Sequence, residues 1–79
     1  MPHIAIKAWP GKTPAQQQEL TDAIVRETQR IFGSSLDSIS VGFETIDPDV
    51  WTAQVYEPDI AAKRATLTKL PGYGPVAKD

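Results

Sequence analysis

The sequence predicts an α+β fold built on one β-α-β unit, and three observations carry that expectation. Residues His3 to Trp9 alternate in polarity, Pro14 to Phe32 carry helix signals at both ends, and Ile39 to Ile46 alternate again. A strand, a long helix and a second strand make a crossover connection, which sets the strands parallel and the connection right-handed.

Each element follows from its residues. In the first run Ile4, Ile6 and Ala8 fall on one face, with His3, Ala5, Lys7 and Trp9 on the other. Pro10-Gly11 breaks the strand. Thr13 is placed as an N-cap, Pro14 as the first helical residue, and Gln16 as the partner that closes a capping box. Leu20, Ala23, Ile24, Ile31 and Phe32 form the expected apolar stripe, and Gly33 ends the helix. Ile39, Val41 and Phe43 give the second strand its apolar face, and Asp47-Pro48-Asp49 stops it with turn chemistry. Thr52 to Tyr56 is expected to be extended or irregular. A second, C-terminal helix then starts with Pro58 in its first turn and runs to Leu70. Pro71-Gly72 stops it, and the tail to Asp79 holds too many breakers to continue.

Length and composition narrow the function. Seventy-nine residues suit a single domain over 1–79. A chain this short hides only roughly 60–65 % of its unfolded surface, so its own core is marginal. The chain has no cysteine, which excludes disulfides, thiolate metal sites and thiol catalysis. His3 is the only histidine, a poor basis for a side-chain metal cluster. A net charge of −2 with scattered Lys and Arg argues against nucleic acid as a partner. No apolar run approaches a membrane span, and the start lacks a basic-then-apolar leader, so a cytoplasmic protein is expected.

Two parallel strands alone make no viable sheet in water, because both outer edges present unpaired backbone groups. Pairing with a second copy is the simplest completion. The expected homodimer has four strands, two long helices on one face, and the second helix over part of the other.

Pro2 is the chemically informative residue. A small residue in second position lets Met1 be trimmed, leaving a secondary amine at the chain end. An α-amino group ordinarily titrates near ~8, and burial in an apolar pocket lowers that by disfavouring the charged form. Such an amine is a general base at neutral pH with no side chain involved. The plain alternative is a stiff second residue without a role.

The proline start, the size of the β-α-β unit and Gly11 before the helix resemble the 4-oxalocrotonate tautomerase family over essentially the whole chain. The likeness is closer to its dimeric, PptA-like phenylpyruvate tautomerase branch. Three segments carry that closer likeness: Met1-Pro2-His3-Ile4 with Ile6-Lys7, Ser38-Ile39-Ser40 with Ile46 to Trp51, and Lys69-Leu70-Pro71-Gly72-Tyr73. The resemblance implies an isomerase that needs no metal or organic cofactor. Its substrate is a 2-keto acid such as phenylpyruvate, and Pro2 moves a proton between the keto and enol forms.

The family uses two arginines, for which this chain has Lys12 and Ser40. A lysine point charge and a neutral hydroxyl cannot reproduce a bidentate fork, which disfavours a dicarboxylate and suits a monocarboxylate with an apolar tail. Trp51 falls where the family has an aromatic residue walling the proline pocket. Its competing role is a structural aromatic at the edge of a small core, and Lys12 competes with a solvated loop lysine. His3 should point away from the Ile4 face, toward an interface or solvent. Tyr73 reads as packing, and Arg26, Arg30 and Arg64 as solvated helix faces. Two other functions stay open. One is decarboxylation, hydration or dehalogenation of small unsaturated acids on the same fold. The other is a non-catalytic dimeric binding protein, favoured if Met1 is retained and the proline nitrogen stays acylated.

Overall fold

The structure is a computed structural model and describes residues 1–78. They form two compact units, one over Met1–Ile46 and one from Asp47 onward.

The first unit is the β-α-β arrangement that the sequence predicts. Strand β1 spans His3–Ala8, helix α1 Pro14–Phe32 and strand β2 Ser40–Thr45. The strands pair in parallel, with His3 opposite Ser40 and Ala8 opposite Thr45. Just past the register, Ile46 N–H donates to the Ala8 carbonyl at 2.9 Å. The ends of α1 are set locally. Thr13 Oγ1 accepts from Gln16 N–H at 3.1 Å, and Gln16 Oε1 accepts from Thr13 N–H at 2.9 Å, a closed capping box. Gly33 turns left-handed at φ 69° and donates its N–H to the Gln29 carbonyl at 3.0 Å. A 3-10 turn at Leu36–Ser38 leads into β2.

The apolar stripe differs from the expectation at its far end. Ala23 and Ile24 are half-buried, but Leu20 is exposed, as are Ile31 at 64 % and Phe32 at 72 %. Length explains Ile31 and Phe32, though not Leu20: the 19 residues of α1 extend about 28 Å, whereas six-residue strands reach about 20 Å. The last turn of α1 overhangs the sheet.

The second unit corrects the boundaries of the C-terminal helix. Helical structure starts well before Pro58. Asp47 accepts from Asp49 N–H at 2.9 Å and caps a 3-10 turn at Pro48–Val50. Trp51 stays helical, and a π-helix follows over Thr52–Ala61 with Pro58 inside it. The chain from Ala62 to Leu70 holds only a short 3-10 turn at Arg64–Thr66. The physical cause lies at Pro58, whose ring would crowd the carbonyl four residues earlier in an α-helix. Widening the turn relieves that contact, and Ala62 N–H reaches the Glu57 carbonyl five residues back at 3.0 Å.

The tail is ordered rather than merely broken. Tyr56 is buried, and its hydroxyl donates to the Tyr73 carbonyl at 2.9 Å while accepting from Val76 N–H at 3.0 Å. Val55 and Val76 are buried with it, and a 3-10 turn at Pro75–Lys78 follows. Tyr56→Phe removes both hydrogen bonds and strands the buried Val76 N–H. A loss of about 1–3 kcal/mol in urea denaturation is expected. Among the described residues no helix is long and apolar enough to cross a membrane.

Candidate active site

Pro2 stands at the head of β1, half-buried, and its carbonyl accepts the Ser40 N–H at 3.2 Å. This bond fixes the proline without using its nitrogen. Met1 ahead of it is 103 % exposed.

Ser40 opens β2 directly opposite His3, and the His3 Nδ1 and Ser40 Oγ atoms lie 2.7 Å apart. Strand alternation puts both on the face that also carries Ala5, Lys7, Gly42 and Glu44. Phe43, on the other face, shares a recess with Gln17 and Leu20 of α1. The next pair after His3 and Ser40 is Ala5 with Gly42, which has almost no side chain. A shallow depression of about 200 Å³ results, bounded further along by Lys7 and Glu44.

Lys12 lies elsewhere. It sits in the loop after β1, exposed, beside an open recess of about 440 Å³ that Gly11, Gln16 and Phe43 also line. Gly11 holds φ 108° there, a conformation that L side chains rarely adopt. Nine residues separate Lys12 from Pro2, and the six of β1 alone put the loop about 20 Å from the strand's head, far beyond a lysine's reach. Within one chain, Pro2 and Ser40 come together and Lys12 does not join them.

Trp51 belongs to the second unit. It is half-buried, and its Nε1–H donates to the Tyr73 hydroxyl at 3.0 Å. The Tyr73 ring meets Tyr56 edge-on, with centroids 5.2 Å apart at 61°. Tyr73 therefore packs, as the sequence suggests, and also holds the indole. His3, expected at an interface or in solvent, instead meets Ser40. Alternation did turn it away from Ile4, but its partner became visible only through the strand register.

Curated relatives span both units, although no protein-family model matches the chain. Tautomerase PptA of Pectobacterium carotovorum is 39 % identical over 74 residues, covering 92 % of this chain and 97 % of its own. A probable tautomerase of Xylella fastidiosa is 36 % identical over 77 residues, covering 98 % and 94 %. Tautomerase PptA of Escherichia coli is 37 % identical over 78 residues, covering 92 % and 97 %. The chain belongs to the tautomerase family. Its likeness to the PptA-named members places it in their branch. For this tautomerase-family chain, Pro2 and Ser40 at the head of the sheet are the first candidates for chemistry.

Proposed function

We propose that this tautomerase interconverts the enol and keto forms of a 2-keto acid with an aryl tail, phenylpyruvate being the type, with Pro2 as base and acid. Removal of Met1 frees a secondary amine at the head of β1. The uncharged amine takes the proton from the enol oxygen, and the resulting ammonium delivers it to carbon 3. The C2–O bond becomes a carbonyl, the C2–C3 double bond becomes single, and the amine is regenerated. The step needs no metal or organic cofactor, because one base near neutrality serves both transfers.

One observation supports this most. Ser40 ties down the Pro2 carbonyl and leaves the nitrogen as the group that processing would liberate. Ser40 is proposed to meet the substrate carboxylate and Trp51 the aryl ring. Lys12 is proposed to act from a second copy. Antiparallel pairing of two β1 outer edges would set the head of one strand against the far end of the other, bringing the partner's Lys12 toward Pro2. Coverage of both units by the curated relatives favours one catalytic domain over 1–79, working as a cytoplasmic homodimer.

The first test is the intact mass of the protein expressed without a tag, alongside its activity. Loss of the Met1 mass is expected, with arylpyruvate ketonisation by the processed form and none by a synthetic chain that keeps Met1. Quantitative retention of Met1 in the cell would favour the non-catalytic binding reading. Turnover of halo-acrylates in preference to arylpyruvates would favour dehalogenation.

A further inference from the structure

We infer that His3 is a positioning residue, holding the Ser40 hydroxyl as the hydrogen-bond donor for the substrate carboxylate beside Pro2. This rests on the tautomerase reading above and extends it to the recognition of the anion. Three groups are locked to one strand pair. Ser40 N–H binds the Pro2 carbonyl at 3.2 Å, Ser40 Oγ lies 2.7 Å from His3 Nδ1, and His3 follows Pro2 in the chain. The depression over Ala5 and Gly42 lies at the next register, where the body of a small acid can rest.

The chemistry depends on one proton. A hydroxyl has a single hydrogen to give. With Nδ1 bare, Ser40 gives that hydrogen to the ring and shows an arriving anion only lone pairs. With Nδ1 protonated, the ring donates to Oγ, and the hydroxyl hydrogen is free to meet a carboxylate. A charged imidazole carries hydrogens on both nitrogens, so it always supports the second arrangement and adds a positive charge. Carboxylate binding therefore selects the Nδ1–H form.

Within the first unit, other charges lie farther along the strands or in the flanking turn. Lys7 and Glu44 lie four positions along the same face, about 13 Å by strand rise and beyond a Debye length. Asp37 lies in the turn before β2, and the freed Pro2 amine is a further titratable neighbour within this unit. Helix α1 packs on the opposite face.

Phenylacetate, an aryl carboxylate that cannot enolise to product, is the probe. His3 is the sole histidine, so its ring nitrogen resonances need no assignment among competitors. At fixed neutral pH, phenylacetate is expected to move the Nδ1 resonance toward its protonated position. Ser40→Ala and His3→Ala should each weaken phenylacetate about tenfold, the scale of one charge-assisted hydrogen bond at an exposed site. The double variant should bind no worse than either single one. His3→Asn places an amide N–H at the same bond count from Cα as Nδ1, so it should restore affinity. Absent binding, an unmoved ring signal at saturation, additive losses, or affinity that stays low in His3→Asn would each overturn the inference. The probe reports without turnover. If ketonisation fails while the ring responds, the proposed activity falls, and the reverse outcome removes His3 alone.

Discussion

Pro2→Ala is expected to lower kcat/KM for arylpyruvate ketonisation by about 10²–10⁴-fold, the span of a positioned general base. Alanine in second position still allows Met1 removal and leaves a terminal amine, so the variant tests the secondary amine itself. It also keeps the hydrogen bond at Pro2, because the Ser40 N–H binds a backbone carbonyl that any residue supplies. Loss of β-sheet structure is therefore not an available explanation for lost turnover. In the unsubstituted enzyme, kcat/KM should fall as pH drops through the titration of the amine, since only the uncharged form accepts the enol proton. Stopped-flow ketonisation of a pre-formed enol reads both effects. Unchanged turnover in Pro2→Ala would remove the proline from the mechanism.

Gly74→Ala carries the largest expected structural effect. Gly74 sits at φ 73°, where an L side chain is strained. A Cβ there would lie 2.5 Å from Tyr56 Oη, 2.6 Å from Cζ and 2.8 Å from Cε2. Tyr56 cannot give way cheaply, because its hydroxyl is held between the Tyr73 carbonyl and the Val76 N–H. Strain and overpacking together predict a loss of about 2–4 kcal/mol. Urea denaturation followed by Trp51 fluorescence in a Trp9→Phe background measures it in the unit concerned. Gly72→Ala is the control: a Cβ there meets nothing within 4 Å, and a change within about 0.5 kcal/mol is expected. Equal effects at the two glycines would contradict the packing of the tail on Tyr56.

Features written into neighbouring residues were legible in the sequence. The capping box of Thr13 and Gln16, the first-turn Pro14 and the terminal Gly33 fix α1 within a few residues at each end. Polarity alternation gave both strands to within a residue. Pro58 carries an opener's signal in the sequence but lies inside the helix, and Asp47-Pro48 hold the same chemistry ten residues earlier. The widening of that helix depends on how a proline ring is relieved, which no short motif records. Pro2 was legible from its position and from the family likeness. The His3–Ser40 contact was not, since it joins residues 37 apart through a register that only the paired strands define. The distance of Lys12 from Pro2 follows from the length of β1, a geometric fact implicit in the strand reading but not drawn from it.

The parallel pairing of β1 with β2 also dictates an order of events as the polypeptide is made. β1 leaves the ribosome first, yet none of its ladder bonds has a partner until Ser40–Thr45 has emerged. Helix α1 needs neither strand to begin, because its first and last turns are closed by its own residues. It can flicker into existence alone, although a lone helix of this length is only marginal. Sheet closure then bears the whole loop entropy at once, making it the slow, late and committing event for this unit.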